Sequence, residues 1–131
     1  VEQVTKHGGG TTAYVSAAGK TLFFMKGNVG PVYALPLQGA AEEPGDERQI
    51  IPYAYYKEFF PTKDGIYYVG ALGNDGLYPL ELYQFRGGAT RVLGKIGGSL
   101  YQGLTVSPDG KSILVSRSPN TGSDIMMIEN F

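Results

Sequence analysis

The feature that most constrains this chain is that it repeats itself. Asn28-Val29-Gly30, Asn74-Asp75-Gly76 and Asn120-Thr121-Gly122 carry one Asn-x-Gly element at a spacing of 46 residues. A second glycine marker precedes each of them: Ala18-Gly19, Asp64-Gly65 and Asp109-Gly110, spaced by 46 and then 45 residues. Two independent markers on one period mean that a single supersecondary unit recurs, and this restricts the chain to repeat architectures.

Each unit reads as strands separated by turns. Ala13-Tyr14-Val15-Ser16, Phe59-Phe60-Pro61-Thr62 and Leu104-Thr105-Val106-Ser107 precede the first marker. Leu22-Phe23-Phe24-Met25, Ile66-Tyr67-Tyr68-Val69 and Ile113-Leu114-Val115 follow it. These are continuous apolar runs, the pattern of strands covered on both faces. After the Asn-x-Gly element come Val32-Tyr33-Ala34-Leu35, Leu80-Glu81-Leu82-Tyr83 and Ile125-Met126-Met127-Ile128. More polar fourth segments follow at Arg48-Gln49-Ile50-Ile51 and Thr90-Arg91-Val92-Leu93. Four strands in about 45 residues, growing more polar outward, is the unit of a β-propeller blade. No window holds a helical apolar period, so helix is expected to be nearly absent. The expected fold is all-β: a β-propeller with three four-stranded antiparallel blades per chain. The expected boundaries are an outer strand at 1–7, blades at 11–53 and 57–97, and three strands of a last blade at 102–131. Val1 to Lys6 would supply the outer strand that the last blade lacks, in a second copy, closing a six-bladed homodimeric ring with no bare strand edges.

The run Leu104-Thr105-Val106-Ser107-Pro108-Asp109-Gly110-Lys111-Ser112-Ile113-Leu114-Val115 resembles the TolB-like propeller repeat with its Ser-Pro-Asp-Gly-Lys turn. The closing Gly122-Ser123-Asp124-Ile125-Met126-Met127-Ile128-Glu129-Asn130-Phe131 is similar to the last blade of TolB-like propellers in bacterial sensor and regulator proteins. The match weakens over 1–56, where Ala17-Ala18-Gly19-Lys20 stands for the Pro-Asp-Gly-Lys turn. The resemblance implies a propeller that binds proteins or small ligands, and it transfers no catalytic residue, because the shared motif residues are turn formers.

Composition narrows the chemistry. Eleven Lys and Arg against twelve Asp and Glu, scattered along the chain, argue against nucleic acid or an anionic membrane as partner. No apolar stretch approaches the ~20 residues of a membrane-spanning helix. Cysteine is absent and His7 is the sole histidine, so no Cys-based or multi-histidine metal site can form within one chain. No Asp-x-Asp-x-Asp-Gly calcium loop and no Gly-x-Ser-x-Gly elbow occurs. Gly19-Lys20-Thr21 and Gly110-Lys111-Ser112 mimic the end of a P-loop but lack its first glycine and its helix, and read as hairpin turns. No catalytic residue, metal or cofactor is therefore expected.

The densest chemical feature is Tyr53-Ala54-Tyr55-Tyr56-Lys57-Glu58-Phe59-Phe60, placed on the connection from one blade to the next. Tyrosine pairs a stiff apolar body with a hydrogen-bonding tip, which suits ligand or protein contact. Tyr53, Tyr55, Tyr56, Lys57 and Glu58 are accordingly candidate binding residues, with Lys57 and Glu58 as a surface ion pair. Tyr101 and Gln102 occupy the equivalent connection of the next repeat. Asn28, Asn74 and Asn120 sit in loops expected at the same end. The expected function is a noncatalytic binding or scaffold module contacting a protein or small ligand through its channel-rim loops. The alternatives are a propeller hydrolase or the gating propeller of a peptidase, and a self-assembling repeat fragment with no ligand.

Overall fold

The computed structural model describes residues 3–5, 7–37, 47–118 and 124–131, and every regular element among them is a strand. β1 (Thr12–Val15), β2 (Thr21–Met25), β3 (Gly30–Pro36) and β4 (Arg48–Ala54) form the first sheet in that order. The second sheet is β5 (Phe59–Pro61), β6 (Gly65–Val69), β7 (Tyr78–Gln84) and β8 (Thr90–Ile96), again in chain order. In the third, β9 (Ser99–Leu100) and β10 (Thr105–Val106) both pair with β11 (Ser112–Ser118), and β11 pairs with β12 (Asp124–Glu129). All pairings are antiparallel, so short turns suffice as connections. The chain is thus all-β, with three four-stranded sheets at the repeat spacing. Residues 3–5, within the expected outer strand, form no strand, while Val1, Glu2 and Lys6 lie outside the described residues.

The sheets bury their faces against one another in sequence order. Phe23, Met25, Val32 and Ile51 of the first sheet meet Phe59, Ile66 and Tyr68 of the second. Val69, Leu80 and Ile96 on the other face of the second sheet meet Leu104, Val106, Ile113 and Val115 of the third. Strand periodicity explains the division: successive side chains point to opposite faces, so Ile66 and Tyr68 enter one core and Tyr67 and Val69 the other. A continuous apolar run is what such a doubly covered sheet requires. No further sheet covers the outward faces of the terminal sheets among the described residues, although Phe24 on the first is buried beside Tyr33 and Gly10. Leu114, Ile125 and Met127 project from the third sheet at 37%, 75% and 57% exposure, and Val15 projects from the first.

The glycine markers turn out to serve different ends. Gly19 and Gly110 close equivalent turns, each donating its N–H to the serine three residues earlier, Ser16 (2.8 Å) and Ser107 (2.9 Å). Both have φ near +70° and open space at the Cβ position (+72° and +69°), the left-handed conformation that glycine adopts without penalty. Gly65 does not belong with them. It is the buried first residue of β6, following a turn made by Lys63 and Asp64, and a Cβ there would stand 2.2 Å from the carbonyl oxygen of Tyr83. The expected third equivalent turn at Gly65 is therefore replaced by a close backbone approach.

Each of the first two sheets carries a β-bulge in its outer pair. Val32 faces Ile51 and Tyr33 faces Gln49, leaving Ile50 unopposed. Leu80 faces Gly94 and Glu81 faces Val92, leaving Leu93 unopposed. The extra residue bends the outer strand and changes which side chains share a face.

Candidate functional site

Antiparallel order places residues 26–29, 54–58, 70–77 and 97–103 at one end of the sheets; pairing of Gly30 with Ala54 and of Tyr78 with Ile96 fixes this. The predicted residues converge there in part. Tyr53 lies within β4 and is half-buried, so it belongs to the strand and not to the connection. Tyr55 is also half-buried, its ring centroid 4.5 Å from that of Tyr78 and 6.1 Å from that of Tyr56. Tyr78 was not singled out from the sequence, since a tyrosine opening an apolar strand gives no signal of its own. Its phenol sits against that of Tyr55, and this neighbour, then burial, pushes its pKa up to about 12. Tyr56 and Tyr101 are exposed, at 39% and 52%. Gln102, Asn28 and Asn74 are exposed as well, and Asn120 lies outside the described residues.

The two described Asn-x-Gly loops are not copies of each other. Gly30 opens β3 directly, whereas Asn74 lies in a longer loop between Val69 and Tyr78. There Asp75 accepts the Leu77 N–H (3.1 Å) and pairs with Lys95. The Lys95 ammonium, followed by the Leu77 amide, holds the Asp75 carboxyl below the usual carboxylate range.

The connection from β4 to β5 is a tight turn. Glu58 donates its N–H to the Tyr55 carbonyl (2.8 Å), with Tyr56 and Lys57 between them at φ +40° and +64°. Positive φ at both central residues is the type I′ pattern, which favours Asn-Gly and penalises residues with a Cβ. The turn is held to the second sheet by Tyr55 N–H to Val69 carbonyl (2.7 Å) and Val69 N–H to Glu58 carbonyl (2.9 Å).

This geometry corrects the expected ion pair. Glu58 is 0% exposed, and no salt bridge joins it to Lys57 among the described residues. Its side chain turns inward toward the start of the third sheet, where the Gly103 and Leu104 amides approach it. They do not reach hydrogen-bond geometry, and both carboxyl oxygens are buried without a partner. Burial pushes the Glu58 pKa up to about 8, and the two amides offset that only in part. A carboxyl in this setting is neutral near pH 7. Burial, and then the nearby Glu58 carboxylate, raise the Tyr14 phenol above its ordinary value. Since Glu58 has no exposed surface, it cannot meet a substrate as a general acid.

Among the described residues no three His, Asp or Glu side chains converge as a metal site would need, and no helix is long and apolar enough to cross a membrane. His7 is exposed in the segment before β1. The end therefore presents exposed and half-exposed aromatic rings, carboxamides and a lysine, over a buried neutral acid. Comparison of the chain with protein-family models, with curated proteins and with solved structures finds no match.

Proposed function

We propose that the chain is a noncatalytic, TolB-like β-propeller segment that binds a protein or small ligand through its tyrosine-bearing end. The observation that carries this reading is the turn at Tyr56 and Lys57. Two consecutive non-glycine residues hold positive φ there, a conformation costing roughly 1 kcal/mol or more per residue. Asn-Gly would close the same turn with less strain. Strain retained where it displays an exposed Tyr56 beside Tyr55 points to contact with a partner. Clustered tyrosines, their rings tilted 40° to one another, with no accessible acid–base pair among the described residues favour binding over catalysis.

Replacing Tyr56 and Lys57 together by Asn and Gly should stabilise the fold by about 1–2 kcal/mol in urea unfolding. The same change should abolish binding at this end. The binding assay is a fragment screen followed by amide NMR shifts. Saturable shifts clustering at 55–57, 73–77 and 101–102 support the reading, and their confinement elsewhere overturns it.

The same proposal includes a six-bladed ring of two copies. Propellers close with about four to eight blades, and this chain supplies three sheets. The outward faces of the first and third sheets would then cover each other across a twofold axis. Among the described residues β12 pairs with β11 alone, and residues 1–6 of a second copy would pair with its other edge. Light scattering should give twice 14.1 kDa. Met127→Glu with Leu114→Glu should give a folded monomer. A wild-type monomer, or a dimer indifferent to removal of residues 1–7, contradicts the ring.

A further inference from the structure

At the opposite end of the sheets a cleft of about 450 Å³ opens between the first and second sheets, continuing outward from their shared core. Its floor and one wall are apolar and aromatic: Phe23, Ile50, Tyr83 and Phe85. Phe85 stacks on Phe23 with ring centroids 5.6 Å apart and planes 13° from parallel, and Tyr83 meets Phe85 edge-on at 6.2 Å. With Phe23 at 5% exposure and Phe85 at 39%, Phe85 is the exposed member of the stack, and both rings line the cleft.

Two cations flank this surface. Arg48 opens β4 opposite Ala34 and two residues before Ile50, and strand alternation brings all three to the cleft. Lys63 comes from the tight turn before Gly65. Among the described residues no Asp or Glu side chain lines the cleft, and neither cation has an ion-pair partner. Glu47, next to Arg48 in sequence, is instead paired with Lys26 at 2.8 Å. The chain as a whole carries a net charge of −1, so two cations beside aromatic rings, with no carboxylate lining the cleft among the described residues, are a local departure from its surroundings.

We propose that this cleft binds a small aromatic carboxylate. The flat ring lies against Phe85, and the carboxylate is held by the planar fork of Arg48, whose geometry matches two carboxylate oxygens. Lys63 supplies the second positive charge. A volume of this size is ordinary for a small-molecule site. The site lies at the end away from the tyrosines and does not depend on their role.

The probe is 2-naphthoate, titrated into the full chain and followed by amide shifts. Saturable shifts are expected at residues 16–18, 48–50, 62–63 and 83–85, with a Kd of about 1 mM for a ligand of this size. The neutral 2-naphthamide should bind about tenfold more weakly, because it forms no charged hydrogen bonds with Arg48. Arg48→Gln and Lys63→Gln should each reduce that preference, and together remove it, while Phe85→Ala should weaken both probes. These are surface positions, where substitution leaves the fold intact. Higher salt should weaken the naphthoate and spare the amide. Equal affinity for the two probes, shifts confined to the tyrosine end, or an unchanged preference in the double variant would each overturn the assignment. The last two outcomes leave the reading of the tyrosine end standing.

Discussion

The protein is expected to lose stability as pH rises from about 5 to about 8, and a Glu58→Gln variant is expected not to. Glu58 titrates near 4.5 in an unfolded chain and at about 8 in the fold, because burial disfavours its charged form. Below the lower value both states hold the proton and nothing is lost. Between the two values folding must take up a proton, and above about 8 the fold must hold a buried, unpaired carboxylate. Each unit of separation is worth about 1.4 kcal/mol, so the full loss is on the order of 5 kcal/mol. That is a large share of the ~5–15 kcal/mol that stabilises a domain. Asp75 and Asp109 act in the opposite sense and elsewhere on the scale. Lys95 lowers the first and the Ser107 hydroxyl the second, so their contributions are present above the ordinary carboxylate range and fade only in acid. Urea unfolding at pH 5, 6.5 and 8.5 separates the cases. A glutamine of the same shape carries no charge at any of these values, so its stability should stay level and exceed that of wild type at pH 8.5. Parallel wild-type and variant curves would show that Glu58 is not the titrating group.

That result would reach the tyrosine end directly. The Glu58 amide closes the turn that displays Tyr56, and the Glu58 carbonyl ties that turn to Val69. Ionising the side chain between the second and third sheets would strain a turn that already holds Tyr56 and Lys57 at positive φ. Tyr56 contacts should therefore weaken over the same pH interval in which stability falls.

The repeat was readable because its carriers are local. Apolar runs bounded by glycine turns specify strands wherever they stand, and a meander of such strands specifies antiparallel sheets. What escaped the sequence depends on residues that meet only in the folded chain. Glu58, beside Lys57 and three tyrosines, has every mark of a surface residue, and its burial follows from the approach of Gly103 and Leu104 some 45 positions later. Tyr53 reads as part of a connection because nothing between Arg48 and Tyr56 marks where β4 stops. The cleft was invisible because Arg48, Lys63 and Phe85 belong to three separate turns or strand ends. The bulge at Ile50 also shifts the alternation by one residue, which a strict two-residue pattern does not anticipate.

Glycine shows the same limit in a form that can be measured. Gly19 and Gly65 occupy matching places on the 46-residue period and should respond to substitution for unrelated reasons. At Gly19 the obstacle is the backbone angle: φ is +72° and nothing lies within 4 Å of a Cβ. Alanine there should cost about 1 kcal/mol, and asparagine, which tolerates left-handed φ, much less. At Gly65 the angle is ordinary and the obstacle is space. A Cβ would meet the Tyr83 carbonyl oxygen at 2.2 Å and Leu82 at 3.0 Å, and a backbone carbonyl within a ladder cannot swing aside as a flexible side chain can. Any side chain must prise β6 from β7 at the edge of the core holding Ile66, so alanine should cost about 3 kcal/mol. Asparagine at Gly65 should be no better than alanine, since conformational tolerance does not relieve a clash. In thermal melts Gly65→Ala and Gly65→Asn should both fall by roughly 10 °C, while Gly19→Asn stays within a few degrees of wild type. If asparagine rescued Gly65 as it rescues Gly19, the two glycines would be the equivalent turns that the period alone suggests, and the close approach of β6 to β7 would be wrong.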